Sequence, residues 1–374
     1  MGKRPIRARD ALADLPKTIH GGQAWKLGNV EDYSHNLNPF GPPEDINDII
    51  LSATDGIGHY PDDSCSELKS VISKEFGVDT DKIMIGSGSS DIIRNFPNTF
   101  FNPGDIVLLN RPSFAEYGQQ CRIVGAKIKW NDLTEEDDFR IDPQAVTDAI
   151  DFGVRAVYIC NPNNPTGRIE PREKIESIVK ECSDAGVLVF LDETLLELVS
   201  DHDDISCVGL VDKYDNLVVA GSLTKSFAIP GIRIGFGFAS DTITEQMEKV
   251  RMTWNVGQIE QNVSKVLIGE RMDYVRKAAD IMAKESAVMN KQLNDIGFPA
   301  GNVSDSFFYF NSLRPLGVRC AEFKEHMLRS NIMVRDCESF GTPFEWYVRY
   351  SVKDRERNDR FVAAVEKTLK ELRH

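Results

Sequence analysis

Residues 221–235 read Gly221-Ser-Leu-Thr-Lys-Ser-Phe-Ala-Ile-Pro-Gly-Ile-Arg-Ile-Gly235. They follow the apolar run NLVVA at 216–220, so their polar groups stand at the end of a predicted strand. Lys225 has apolar neighbours, which desolvate its amine and favour the neutral, nucleophilic form. Ser222 precedes that lysine by three residues and Arg233 follows it by eight, and both can reach one phosphate.

Working outward, short apolar runs recur at 82–86, 105–109, 126–130, 155–160, 187–191, 216–220 and 232–238. Helix-length segments separate most of them; PREKIESIVKECSDAG, for example, opens on Pro171 and closes on Gly186. Seven such strands predict an α/β fold with a mainly parallel sheet covered by helices on both faces. From 241 to 294 the chain reads as almost unbroken helix without proline. FFYFNSL, IMVRDC and WYVRYSV, with helices near 321–330 and from 354, then predict a small α+β domain. The expected division is an arm at 1–45 joining the small domain, a large domain at 46–270, and a linking helix with the small domain at 271–374.

Composition narrows the function. The chain has 374 residues, with 44 Lys and Arg against 58 Asp and Glu, a net charge of −14. Nucleic-acid surfaces need clustered cations, so no nucleic-acid partner is expected. Anionic substrates have to be caught by local arginines against the overall field. The seven cysteines are scattered without a Cys-x-x-Cys, and the six histidines show no ligand spacing, so neither a disulfide framework nor a metal site is expected. No run reaches the length of a membrane span and the first residues lack an apolar leader core, which predicts a cytoplasmic protein without a membrane partner.

Four strand ends carry the chemistry. Gly86-Ser-Gly-Ser-Ser-Asp91 can turn backbone N–H groups and a helix N-terminus toward a phosphate, or be an ordinary turn. Asn161-Pro-Asn-Asn-Pro-Thr-Gly167 is a turn in which Asn164 can also donate to a ligand. Asp192 ends VLVFL, where it can cap the next turn or pair with a protonated ring nitrogen. Lys225 stands at the fourth. Ser222-Leu-Thr-Lys225 also fits the Ser-x-x-Lys of serine-nucleophile enzymes, and His20-Gly-Gly fits an oxyanion loop. The accompanying Ser-Asp-Asn, Lys-Thr-Gly and Gly-x-Ser-x-Gly strings are absent.

NPNNPTG, then LDE, then SLTK with AIPGIRIG resemble, in that order, a fold-type-I pyridoxal 5′-phosphate enzyme of the class I/II aminotransferase superfamily. The resemblance covers nearly the whole chain. It implies that Lys225 carries the cofactor, that Asp192 faces the pyridine nitrogen, and that Asn164 meets the ring hydroxyl. It further implies that Ser89, Ser90, Ser222 and Arg233 hold the phosphate and that Phe114 of RPSFAEY stacks on the ring. Tyr60 of HYPDD matches a tyrosine that reaches the phosphate of a partner subunit, which implies a homodimer with shared sites. Relatives usually read Asp-Glu-Ala-Tyr or Asp-Glu-Ala-Phe where this chain has Asp192-Glu-Thr-Leu195; Leu195 cannot supply a phenol, and Thr194 is expected beneath the ring.

Two families within the superfamily are similar: L-threonine-O-3-phosphate decarboxylases and histidinol-phosphate aminotransferases. His20-Gly-Gly ahead of YSHNLNP, Ser113-Phe-Ala-Glu-Tyr117, and SLTK with Ala228-Ile-Pro-Gly231 favour the decarboxylase. Either takes a phosphorylated small molecule. Arg349 matches the carboxylate arginine and Arg335 a second anion ligand, against a structural ion pair for each. Asn36 and His20 match residues near the substrate, against an ordinary turn and an N-terminal segment.

Overall fold

The computed structural model describes residues 7–13, 15–16, 18 and 24–372. In chain order the strands are β1 (Glu31–Asp32), β2 (Ile83–Gly86), β3 (Ile106–Arg111), β4 (Lys127–Asp132), β5 (Ala156–Cys160) and β6 (Leu188–Asp192). There follow β7 (Leu217–Ser222), β8 (Gly235–Ala239), β9 (Phe308–Ser312), β10 (Ile332–Met333), β11 (Arg335–Asp336) and β12 (Tyr347–Ser351).

Seven strands form one sheet in the order β2-β8-β7-β6-β5-β3-β4. Its neighbours run parallel except around β8, which is antiparallel to both β2 and β7. Strands β5, β7 and β8 are buried at every position, as a sheet between two helical layers requires. The pleat sorts their side chains. Val157 and Ile159 join a core with the helices Ser66–Phe76, Arg172–Asp184 and Gln258–Glu270. Ala156, Tyr158 and Cys160 join the opposite core, with Ser89–Phe100, Ala115–Ile123 and Asp241–Glu248. The helix Arg172–Asp184 follows Pro171 and ends before Gly186 (φ 69°), where a left-handed turn stops it.

The continuous helix expected over 241–294 is broken into Asp241–Glu248, Gln258–Glu270 and Met272–Asp295. The first break has a tertiary cause. Asp63 accepts the Trp254 N–H at 2.6 Å and the Arg251 guanidinium at 3.2 Å, and Trp254 takes φ 55°. These bonds outweigh local helix preference.

The remaining strands form two small sheets: β9, β12 and β11 pair antiparallel, and β1 pairs in parallel with β10. Their core includes Tyr33, Phe298, Phe323, Tyr350 and Phe361, so residue 33 packs among residues near the chain's other end. Among the described residues, no helix is long and apolar enough to cross a membrane. All seven cysteines are buried and free.

Phe190 on β6 is fully buried, 5.1 Å from Phe96 and 5.2 Å from Tyr158 between ring centroids. Phe190→Ala is expected to lower the unfolding free energy by about 3–5 kcal/mol, read from the urea midpoint of the apoprotein. A loss well under that range would mean the site collapses around the deletion.

Candidate active site

A cavity of about 320 Å³ lies where β5, β6 and β7 end, the place where open parallel sheets bind ligands. Its wall brings together Asn36, Ser89, Ser90, Phe114, Asn164, Asp192, Ser222, Lys225, Arg233, Arg335 and Arg349. Two residues expected from the sequence are not among them. His20 lies outside the described residues. Tyr60, expected at the phosphate of a partner subunit rather than on its own wall, is 72% exposed and stacks on Trp254 at 4.2 Å.

One end of the cavity is built for close approach. Gly88 (φ 80°) precedes the helix Ser89–Phe100, whose first N–H groups have no intrahelical acceptor. A Cβ on Gly88 would strike the Arg233 guanidinium, and one on Gly235 would strike the Ser89 backbone nitrogen. The two glycines therefore let a helix N-terminus, the start of β8 and an arginine converge. Ser222 caps its own turn, accepting the Thr224 N–H at 3.1 Å and donating to the Ile234 carbonyl at 3.3 Å. The Thr224 hydroxyl is buried without a partner.

Asp192 ends β6 with 3% exposure. Its Oδ2 accepts the Tyr117 hydroxyl at 2.6 Å and its Oδ1 the Thr194 N–H at 2.9 Å. The Thr194 bond fulfils the capping role, while the carboxylate also faces the cavity. Burial raises the Asp192 pKa above the usual carboxylate value; the Tyr117 and Thr194 bonds and the Lys225 charge oppose that rise. Tyr117, one helical turn after Phe114, has no role of its own in the sequence reading, although the string RPSFAEY contains it.

Lys225 sits in the short helix Leu223–Ser226. Asn38 clamps that turn: its N–H donates to the Lys225 carbonyl at 2.9 Å and its side-chain amide to the Ser226 carbonyl at 2.8 Å. Burial, then Arg349 and Arg233, push the Lys225 pKa down to about 8, with Asp192 opposing.

Across the cavity, Arg335 and Arg349 are direct cross-strand partners on β11 and β12. Like charges so placed repel, and polar neighbours orient each. Arg349, 7% exposed, donates to Asn164 Oδ1 and to the Ser34 carbonyl. That leaves the Asn164 NH₂ as its donor group, and the Arg349 Nε is buried without a partner. Burial pushes the Arg349 pKa down to about 10. Arg335 donates to the Ser339 hydroxyl at 2.6 Å and lies over the Phe340 ring at 5.9 Å.

Residues 29–365 match the family Aminotransferase class I and II. The chain belongs to that family. Its cofactor is pyridoxal 5′-phosphate, and it is an enzyme of the corresponding superfamily. It is 30% identical over 338 residues to a protein named "Putative threonine-phosphate decarboxylase" in Caldanaerobacter subterraneus subsp. tengcongensis, covering 88% of this chain and 90% of that one. It is 29% identical over 371 residues to histidinol-phosphate aminotransferase 2 of Haemophilus influenzae, covering 98% and 95%. The solved histidinol-phosphate aminotransferase of Clostridium acetobutylicum superposes with a TM-score of 0.84 at 27% identity, over 91% of this chain and 100% of that one.

The cavity of this aminotransferase-family chain fits the cofactor on its own features. A buried carboxylate has no cation among its hydrogen-bond partners, a helix N-terminus is approached as closely as glycine allows, and a lysine has its amine desolvated. Buried polar atoms with no partner remain at Asn36 Oδ1, Thr224 Oγ1 and Arg349 Nε. Sequence reasoning passed over Ser34, His35, Tyr117, Cys160, Thr224, Ser339 and Phe340, which also line the wall.

Tyr117→Phe removes a hydrogen bond to a buried charge, worth about 1.5–3 kcal/mol. Cofactor affinity is expected to fall about tenfold or more on titration of the apoprotein; an unchanged dissociation constant would show that Asp192 does not depend on the phenol. Only the neutral amine attaches the cofactor. The rate of cofactor incorporation into apoprotein should therefore climb with pH through a midpoint at about 8, whereas an ordinary lysine would place that midpoint at about 10.4. Stopped-flow absorbance distinguishes the two profiles.

Proposed function

We propose that this chain decarboxylates L-threonine O-3-phosphate to (R)-1-amino-2-propanol O-2-phosphate, a step of cobalamin biosynthesis. The observation that carries the reading is the facing pair Arg335 and Arg349 over the same cavity as Lys225. A substrate with a carboxylate at one end and a phosphate at the other offers one anion to each guanidinium, and the planar fork of arginine suits both. The similarity to the Caldanaerobacter protein supports the same choice.

Held in this cavity, pyridoxal 5′-phosphate supplies an aldehyde for the substrate amine and a ring that withdraws electrons from Cα. Lys225 is the residue assigned to carry it, with Asp192 facing the ring nitrogen, Asn164 the ring hydroxyl, and Phe114 against the ring. Ser89, Ser90, Ser222 and Arg233 take the cofactor phosphate. Arg335 and Arg349 would then decide which substituent of Cα is presented for cleavage. If they held the carboxylate in the position to break, CO₂ would be lost, and the Lys225 amine would be placed to give Cα the proton that replaces it. Asn36, with its buried unpartnered Oδ1, lines the substrate side.

A second reading, histidinol-phosphate aminotransferase, is favoured by the similarity to the Haemophilus and Clostridium proteins. It would use the same residues with the Cα–H, rather than the carboxylate, presented for cleavage. The assembly assigned to either reading is a homodimer. Tyr60 and Trp254 form an exposed aromatic stack, and Ile57 and Met252 nearby in the chain are 63% and 66% exposed. A second copy would cover them and receive Tyr60 at its phosphate end.

Two incubations test the reaction: L-threonine O-3-phosphate alone, and histidinol phosphate with 2-oxoglutarate. Release of CO₂ with formation of the amino alcohol phosphate is expected from the first. Glutamate from the second without CO₂ from the first overturns the decarboxylase. Arg349→Lys, which keeps charge but loses the fork, is expected to lower kcat/KM by about a hundredfold, equivalent to about 2.7 kcal/mol.

A further inference from the structure

His35 belongs to the wall of the main cavity, beside Ser34, Asn36, Lys225 and Arg349, and no role has yet been given to it. Its ring keeps 27% side-chain exposure while its Nδ1 is buried without a partner. Its Nε2 lies 3.7 Å from Asp32 Oδ2. That separation is too long for a hydrogen bond, and becomes an ion pair only when the imidazole carries a proton. Asp32 is fixed in place, because its Oδ1 accepts both the Ser34 N–H at 2.7 Å and the Ser34 hydroxyl at 2.6 Å.

The charges around this ring come from three directions. Asp32 stands on β1. Lys353 follows β12 and is 5% exposed, its ammonium 5.0 Å from the Tyr33 ring centroid. Lys225 faces it from the cofactor side. Burial holds the His35 pKa below the ordinary imidazole value; Lys353 and Lys225 lower it further, and Asp32 opposes them. Among the residues lining the cavity, Lys225, Arg233, Arg335 and Arg349 carry positive charge and Asp192 alone carries negative charge. An arriving substrate with two anionic groups offsets much of that positive charge.

We propose that His35 is a further anion-binding residue of this site, taking up one proton from solvent as a doubly anionic substrate docks against Arg335 and Arg349. The imidazolium then pairs with Asp32 and adds a positive charge to the wall when the anion is there to use it. The neutral ring spares the substrate-free site another buried cation, which is costly beside the Arg335 and Arg349 guanidinium groups and the Lys353 ammonium. The proposal rests on reading the cavity as a site for two anionic groups, and holds for either reaction.

The test uses cofactor-loaded protein labelled with ¹³C at histidine Cε1, and glutarate, a dicarboxylate with no group titrating near neutral pH and no amine to react. Among the six histidines, the resonance missing from His35→Asn is assigned to His35; His35→Gln serves if the first variant does not load cofactor. Without glutarate its midpoint is expected below about 6.5. With saturating glutarate it should move up by about one pH unit or more. The bound ring then keeps its proton to higher pH than the free ring. Affinity for the glutarate dianion is therefore greatest below the free midpoint and falls as pH rises to the bound one. His35→Asn should flatten that fall. A midpoint that stays put, or glutarate that does not bind, overturns the proposal. A failed decarboxylation assay would leave it standing, because glutarate undergoes no chemistry here.

Discussion

A carboxylate at the end of a buried parallel strand has given up its water, and something must replace it. For Asp192 the protein supplies two neutral donors, the Tyr117 hydroxyl and the Thr194 N–H. Neither is a cation, so the remaining compensation has to come from what the cavity holds. Much of the surrounding architecture answers to that requirement. Tyr117 reaches Asp192 from the helix Ala115–Ile123, and its ring packs 5.5 Å from Phe114, whose side chain lines the same cavity. On the other side, Asn38 pins the turn that presents Lys225.

The positive side of the cavity is set against the charge of the whole molecule. A chain with a net charge of −14 repels anions at a distance. It nevertheless gathers four cationic side chains at one wall. Three of them are placed by the segment before β8 and, far along the chain from it, by the hairpin strands β11 and β12. The parallel sheet makes this economical, since its strands deliver their polar ends to one edge and the small sheets close over them.

The central strands were legible because burial on both faces leaves a continuous apolar run, and the polar residues that terminate those runs named the site. Directions and orientations were less legible. The antiparallel course of β8 follows from the segment 223–234, whose described helix spans four residues and forms no helical crossover of the kind that parallel strands use. The break near Trp254 depends on Asp63, nearly two hundred positions away, and no local pattern announces such a partner. His35 was hidden by its company: in SHNLNP the asparagines drew the functional reading, and a lone histidine shows its charges only once Asp32, Lys353 and Lys225 surround it. Asn164 was read as a ligand donor, and the structure adds that its carbonyl oxygen orients Arg349, a link between a large-sheet loop and β12 that spacing alone does not reveal.

Arg335 and Arg349 face each other by strand register, independently of the hairpin connection that joins β11 to β12. Cys337 and Phe344 anchor that connection in the core, while residues 338–343 between them are exposed or half-buried and could change without displacing the backbone that holds either guanidinium. Ser339 and Phe340, which touch Arg335 from that connection, form an adjustable rim on a fixed pair of charges. Descendants of this sequence could thus acquire a taste for longer or bulkier molecules by editing one surface hairpin, while the cofactor end of the cavity stays as it is.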